Sequence, residues 1–284
     1  MTRMHQARRM WTLFEPLHAV TYFAPECREH FEAAGLRGFW RGYFAGRAAP
    51  LGAVGAPPVV AAFFGFAPGT VHRALPDVWT RATPERAISA RLDGARAALA
   101  RLLDGTAADH LSEAADLLAE AAAYADTAGR VLGAANAALG VPEDVLGKLW
   151  QAATVLREHR GDGHVAALVV HGLDGCETQA WRSGLDLRRD HLQPARGWTD
   201  EEWAAAVDRL AGRGWLSAAG AATRTGVEAH DAIEAMTDRA AMRPWDGLGE
   251  ERTARLAELL TPLAHAAYRD LPAWNPIGLP EPPR

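Results

Sequence analysis

The sequence predicts a mainly α-helical protein of 284 residues, and three observations support this fold class. Apolar residues recur at helical spacing over long segments, as Trp11, Phe14 and Leu17 do. Two segments, 83–85 and 199–202, begin with the residues typical of a helix N-terminus. Hydrophobic residues make up 49% of the chain and charged residues 23%, which is typical of a folded globular protein and excludes a disordered one.

The first half of the chain is predicted to consist of successive helices. The first is expected over residues 6–34, with Pro25 ending or kinking it near Ala24 and Gly35 as its C-cap. Thr83 and Pro84 are good N-cap and first-turn residues for a later helix. The pattern also predicts an aromatic segment at 36–46, a loop of small residues at 48–58 and helices at 59–66, 68–79, 84–103 and 107–140.

The second half is predicted to hold further helices and one small two-strand unit. A helix that begins at Pro142 is expected to stop at Gly161 and Gly163, because glycine disfavours helix interiors. Thr199 and Glu202 form a capping box that opens a later helix. The remaining expectations are a buried helix at 165–173, an irregular segment at 181–196, strands at 215–217 and 223–225, helices at 226–242 and 250–268, and a proline-rich tail at 272–284.

The order of elements from residue 161 to residue 264 is similar to that of MarR-type winged helix-turn-helix transcription factors. Residues 207–216 resemble the end of their recognition helix, and residues 223–234 resemble the start of the helix after their wing. The whole chain also resembles a little-characterised actinobacterial helix-turn-helix family, through segments 15–26, 38–52, 61–68 and 156–164. The resemblance implies a fold and no activity.

This resemblance leads to a two-domain organisation. Residues 1–140 are predicted to form a helical domain, and residues 141–284 a MarR-like winged-helix domain that ends in the proline-rich tail. A duplication of one ancestral unit is one interpretation of the two halves, with a degenerate winged helix in the first.

The segment 156–164 contains the densest polar chemistry of the chain, directly before the apolar run 165–170. If a helix begins after its glycines, its N-terminus would favour an anion. His159 or His164 could then act as acid or base, with Arg157 or Arg160 as an anion clamp. The alternative is a surface loop in which Asp162 caps the next helix.

Two further groups of residues could contribute to a site. Glu15, His18, Tyr22 and Glu26 recur at three- and four-residue steps and therefore share a helix face. This face could form part of a ligand pocket, or His18 and Tyr22 could be hydrogen-bonded within the core. A second group combines Arg41 and Arg47 with aromatic residues and either lines a cavity for a flat ligand or is plain core; its rings are Phe39, Trp40, Tyr43, Phe44, Phe63, Phe64 and Phe66.

Several classes of protein are excluded or disfavoured. Cys27 and Cys176 lie far apart and without metal-ligand spacing, so we expect neither a disulfide framework nor a metal site. No motif identifies a cofactor, and the P-loop, Rossmann, zinc-protease and serine-hydrolase signatures are absent. No apolar run approaches the roughly 20 residues of a membrane span. We therefore expect a cytoplasmic protein without a membrane partner.

These observations predict a protein that binds or transforms a small molecule in a pocket between its two halves. The candidate catalytic residues are His159, His164, Asp162 and His18. The candidate ligand-binding residues are Arg157, Arg160, Tyr22, Glu26, Arg41, Arg47, Trp40 and Tyr43.

The alternative function is that of a ligand-responsive, MarR-like regulator of transcription. The acids at 200–202 lie where a recognition helix would meet phosphates, and the predicted wing has one arginine, Arg224. The arginines between Arg182 and Arg196 form a basic strip that Asp186 and Asp190 dilute. DNA is therefore a disfavoured partner. A scaffold protein without chemistry is the third possibility.

Overall fold

The computed structural model describes residues 3–283, and the side chains of residues 6–283. The described residues are mainly helical and contain no β-strand, which confirms the predicted mainly α class. The first half comprises α1 (Arg3–Phe23), α2 (Pro25–Ala33), α3 (Phe39–Ala48), α4 (Ala56–Phe63), α5 (Pro68–His72), α6 (Pro84–Leu102), α7 (Ala108–Ala123) and α8 (Val131–Ala137). The second comprises α9 (Val145–Val170), α10 (Gly175–Leu185), α11 (Arg189–Arg196), α12 (Asp200–Gly212), α13 (Arg224–Ala240), α14 (Arg243–Leu248) and α15 (Glu250–Tyr268).

Local sequence signals place most helix ends correctly. Ala24 has an extended backbone between α1 and α2, and Pro25 opens α2, so the predicted break is confirmed. The side chain of Thr83 accepts a hydrogen bond from the backbone N–H of Arg86 and caps α6. Thr199 and Glu202 form the predicted capping box at the start of α12. A second box, between Asp174 and Glu177, opens α10.

Several predicted segments differ from the structure, and one helix, α14, was not predicted. The helix expected over 107–140 is divided into α7 and α8 by a turn in which Gly129 has a positive φ of 73°. The helix expected to reach Trp79 ends at His72, and a short 3-10 turn follows at Asp77–Thr80. Residues 181–196, expected to be irregular, complete α10 and form α11.

The largest difference concerns α9, which is continuous over 26 residues and passes through Gly161 and Gly163. The predicted helix stop, and with it the helix N-terminus or loop at Asp162, is therefore wrong. A glycine inside a helix costs only about 1 kcal/mol, which tertiary contacts can offset. The prediction that the apolar run 165–170 is buried is also wrong in part, because Val169 and Val170 are 57% and 75% exposed.

The two glycines of α9 should respond differently to substitution. A Cβ on Gly163 would lie 2.8 Å from Arg130 Nη1 and 3.0 Å from Ala240 Cβ, whereas a Cβ on Gly161 would meet nothing closer than 3.8 Å. We expect Gly161→Ala to raise the free energy of unfolding by about 0.5–1 kcal/mol and Gly163→Ala to lower it by about 1–3 kcal/mol. Urea denaturation followed by circular dichroism measures both. A loss of stability in Gly161→Ala would contradict a continuous α9.

Three large groups of buried apolar side chains build most of the interior. The largest surrounds α1, α7, α15 and the first half of α9, with Leu13, Trp150 and Leu260 fully buried. The second is aromatic and lies among α3, α4 and α6, with Phe44 at its centre. The third joins α10, α11 and α12 to the end of α9, through Trp181 and other residues. α9 therefore runs from the largest group into the third.

The α11–α12 pair is two short helices joined by a tight turn. Gly197, in this turn, has a left-handed backbone with φ of 80°, and it lies against Thr70. Beyond α12 the two expected strands do not form: Leu216 and Ala222 make one isolated antiparallel bridge, and Thr223 caps α13. The winged form of this region therefore stays a prediction.

The proline-rich tail lies along the surface of the helices without forming a helix of its own. Its Leu279 packs with Ala19 of α1, and its Trp274 ring contacts His191 of α11 at a centroid distance of 4.1 Å. Among the described residues no helix is both long and apolar enough to cross a membrane.

Candidate functional site

A cavity of about 220 Å³ lies where α3 and α4 face the middle of α9, and α10, α11 and the tail complete its walls. The first wall is aromatic: Phe39, Trp40 and Tyr43 of α3 follow at helical spacing, and Phe63, Phe64 and Phe66 come from α4 and the turn after it. On α9, Arg157, Gly161 and Asp162 lie on the cavity side, together with His164. Rings and charged groups therefore meet across this space.

A buried ion-pair network lies behind the cavity wall. Glu158 accepts two hydrogen bonds from Arg47, at 2.9 and 3.0 Å, and one from Arg157 Nη1 at 2.7 Å. Burial alone would raise the pKa of Glu158, but the Arg157 and Arg47 guanidiniums outweigh it and hold the pKa well below its usual range. Glu158 is therefore a carboxylate in the folded protein. Arg47 also lies over the Phe63 ring, 4.1 Å from its centroid.

His18 belongs to a hydrogen-bonded chain beside this network. The Thr154 hydroxyl donates to the backbone oxygen of Trp150, so Thr154 Oγ1 accepts the Nδ1–H of His18 at 3.0 Å. His18 Nε2 then accepts the O–H of Tyr22 at 2.9 Å. Burial, with the Arg157 charge, lowers the pKa of His18 well below its usual value. His18 is a neutral residue that positions Tyr22, whose ring lines the cavity.

Asp162 and His164 are the carboxylic acid and the histidine of α9 that reach the cavity. Asp162 accepts the backbone N–H of Gly133 at 2.8 Å, and burial raises its pKa to about 6. His164 Nδ1 lies 2.9 Å from Thr237 Oγ1, and burial lowers the pKa of His164 to about 4 although Glu234 opposes the shift. At neutral pH the imidazole is therefore uncharged, and Asp162 is close to its titration range.

The structure brings together only some of the residues that the sequence singled out. Those that line the cavity are Tyr22, Trp40, Tyr43, Arg47, Arg157, Asp162 and His164. Those that do not are His18, Glu26, Arg41, His159 and Arg160. The polar segment of α9 and the aromatic–arginine segment of α3 thus meet, whereas His18 and His159 share no cavity.

Four of the excluded residues have other partners. His159 Nε2 lies 2.8 Å from Asp126, and Arg160 pairs with Glu234 at 3.0 Å and lies over the Trp11 ring. Glu26 pairs with Arg101 at the surface, and the partly exposed Arg41 lies 3.8 Å from Asp77. His159 and Arg160 lie outside this cavity because successive residues of a helix point in directions about 100° apart.

Two residues of the site were not expected. Glu158 lies inside the polar segment, but its partner Arg47 is 111 residues away and no local pattern reveals the pair. Arg196, at the end of α11, lines the cavity, donates to the backbone oxygen of Pro276 at 2.9 Å and lies 4.5 Å from the Phe66 ring centroid. The sequence analysis placed Arg196 in a basic strip suited to phosphates. Its charge was therefore expected, but its position in the cavity wall was not.

The cavity wall also contains a strained backbone. Phe64, a non-glycine residue, has φ of 54° and ψ of −58°. Such conformations cost about 1–3 kcal/mol and persist where the surrounding structure enforces them. Gly175 approaches this backbone closely, because a Cβ at Gly175 would lie 2.2 Å from the Phe64 backbone oxygen. The two halves of the chain are therefore in close backbone contact at the cavity.

Among the side chains of residues 6–283, no group of three or more histidine, cysteine, aspartate or glutamate residues converges in a way that could hold a metal ion. Cys27 and Cys176 are both buried and free.

A helix-turn-helix family model matches residues 7–271, which is nearly the whole chain. The chain belongs to this helix-turn-helix family. None of the curated proteins and none of the solved structures in the comparison matches it. The expected resemblance to a helix-turn-helix family is confirmed, and the similarity to MarR-type regulators stays a prediction.

The surface of α12 in this helix-turn-helix protein is poor in available positive charge. Glu201 and Asp208 are exposed, and neither has an ion-pair partner among the described side chains. Arg209 pairs with Asp174 and Glu177, at 2.7 and 2.8 Å. Arg213 donates to the backbone oxygen of His171 and lies over the Trp215 ring. The arginines of α12 and of the turn after it are thus engaged within the protein.

Proposed function

We propose that this helix-turn-helix protein binds a small molecule in the cavity between α3–α4 and the α9–α11 region. The cavity itself is the observation that supports the proposal: a space of about 220 Å³ in which aromatic rings and guanidinium groups from both halves of the chain converge. Ligand sites are typically concave and mostly apolar, with a few well-placed polar groups. Charged groups are rarely buried together unless they are paired or functional.

The composition of the walls also defines what chemistry the site could perform. Tyr22, Tyr43 and Trp40 offer flat apolar surfaces with polar edges. Asp162, with a pKa of about 6, is the residue best suited to exchange a proton near neutral pH, and His164, two residues further along α9, also lines the cavity. A transforming activity would therefore use Asp162 and His164, while His18 would act through Tyr22.

The two-domain organisation belongs to this proposal. Residues 1–140 supply the aromatic wall, and residues 141–284, which we propose to be a MarR-like winged-helix unit with a reduced wing, supply α9, α11 and the tail. Arg196 lies directly before the Gly197 turn that leads into α12. In this proposal α11 and α12 are the helix-turn-helix pair, so a ligand at Arg196 would contact the first helix of the pair.

A ligand-responsive DNA-binding regulator is the second candidate, and the family match favours it. The charge of α12 opposes it, because affinity for DNA depends on phosphate contacts with available arginines and lysines. Arg209 and Arg213 would first have to leave their present partners. Retention on a DNA column that falls with salt would favour the regulator, and flow-through at low salt would oppose it.

A pair of neighbouring substitutions tests the cavity. Ala62 lines it, whereas Ala61, the preceding residue of α4, is exposed and lies outside it. We expect compounds that raise the melting temperature of the wild type in a metabolite screen to stabilise Ala61→Trp equally. They should no longer stabilise Ala62→Trp, because the indole ring fills the cavity. Equal shifts in both variants would place binding elsewhere and contradict the proposal.

A further inference from the structure

Arg196 is a half-buried cation without a counter-charge. Its Nε is buried and has no hydrogen-bond partner, and among the side chains of residues 6–283 no carboxylate forms an ion pair with it. Its contacts include the Pro276 backbone oxygen, the Tyr43 hydroxyl and the face of Phe66. Burial, with the nearby Arg47 and Arg157 charges, lowers the pKa of Arg196. An unpaired buried charge is costly, and an anion at this position would offset that cost.

The other arginines of the cavity already have carboxylate partners. Arg47 and Arg157 both pair with Glu158, Arg157 also lies 3.6 Å from Glu15, and Arg182 makes two hydrogen bonds of 2.8 Å with Asp186. Among the described side chains Arg196 is therefore the arginine of the wall that lacks a carboxylate partner.

The buried Arg91 differs from Arg196 because no comparable cavity adjoins it. Arg91 also lacks a carboxylate, but it donates to the Gly46 backbone oxygen and to Asn136, and the space beside it is only about 10 Å³. No ligand could reach it there. Arg196, by contrast, lines the space of about 220 Å³.

We propose that the ligand is an organic oxyanion, such as a carboxylate, on a planar apolar body, and that the oxyanion pairs with Arg196 while the body lies among the aromatic rings of α3 and α4. This inference rests on the proposed function and names its ligand class. A guanidinium suits a carboxylate because its N–H groups match the two oxygens. The rings of Trp40, Tyr43 and Phe66 supply the apolar wall.

Asp162 is compatible with an anion in the same cavity. Its carboxyl group already has a raised pKa, of about 6, because it is buried. A second negative charge nearby would favour its protonated form further. The protonated group could then donate a hydrogen bond to the oxyanion in place of repelling it.

The test compares 2-naphthoate with 2-naphthamide by isothermal titration calorimetry. The two probes share a planar body and differ in whether the carbonyl group carries a negative charge. We expect the wild type to bind the naphthoate about tenfold or more tightly than the amide. Arg196→Gln should weaken naphthoate binding about 10- to 100-fold and leave amide binding nearly unchanged.

Arg188→Gln is the matched control. Arg188 precedes the same helix, is exposed and pairs with Asp190 outside the cavity, so its loss should leave both affinities unchanged. Equal affinities of the two probes for the wild type would overturn the anion inference, and this comparison needs no variant to fold. No binding of the naphthoate at millimolar concentration would overturn it as well. Unaltered binding of either probe to Ala62→Trp would instead contradict the cavity itself.

Discussion

Replacing Glu158 by glutamine is expected to lower the free energy of unfolding by about 3–5 kcal/mol. Glu158 is 1% exposed and pairs with two guanidiniums, those of Arg47 and Arg157. Glutamine keeps the shape but removes the charge, and its amide hydrogens would face arginines that can only donate. Arg47 would then lack a carboxylate partner, and Arg157 would keep only Glu15, at 3.6 Å. Urea denaturation followed by circular dichroism measures the change.

An exposed ion pair supplies the control for Glu158. Glu113 also accepts two hydrogen bonds from one arginine, Arg255, but both side chains are largely in solvent. Glu113→Gln should therefore change stability by less than about 1 kcal/mol. The double variant Glu158→Gln/Arg47→Gln should lose less stability than the sum of the losses of the two single variants, because it also removes one of the cations that Glu158→Gln leaves without its partner. A loss below 1 kcal/mol in Glu158→Gln would contradict the buried network.

Gly175→Ala is expected to destabilise the protein by about 2–3 kcal/mol. The added Cβ would lie 2.2 Å from the backbone oxygen of Phe64, and a backbone oxygen cannot rotate away as a side chain can. Phe64 already has a strained backbone, so the segment has little freedom to move. The contact joins the start of α10 to the cavity wall, and a decrease in ligand affinity should accompany the loss. Thermal unfolding with and without the naphthoate measures both.

Gly212, the last residue of α12, is the corresponding control. A Cβ there would meet no atom within 4 Å, and the residue has a helical backbone. Gly212→Ala should therefore be neutral or slightly stabilising. If Gly175→Ala were equally harmless, the close approach of α10 to Phe64 would be wrong.

Helix boundaries were predictable where the signal is local. Pro25, Thr83 and Thr199 act through hydrogen bonds or backbone restrictions within four residues, and each marks a real helix end. Gly161 and Gly163 carry the same kind of local signal but sit inside a helix. The close approach that favours glycine at 163 comes from Arg130 and Ala240, which are distant in the sequence.

The candidate site was predictable in part for a related reason. The aromatic–arginine segment of α3 lines the cavity because helical spacing places Trp40, Tyr43 and Arg47 on one side. The polar segment of α9 was interpreted as a loop or a helix start, where all its side chains could converge. In a continuous helix they diverge, so Arg157 reaches the cavity while Arg160 does not. Arg196 could not be placed at all, because its wall partners come from the other half and the tail.

The continuity of α9 has a mechanical consequence. Its 26 residues span about 39 Å, from Trp150 in the largest core, past Arg157 at the cavity, to Leu168 in the core of α10–α12. A change in the angle between these two groups of buried residues must bend α9 or disrupt its packing. Bending costs least where helical propensity is lowest, which is at Gly161 and Gly163, beside the cavity. The part of α9 that bends most easily is thus next to the space that a ligand would occupy.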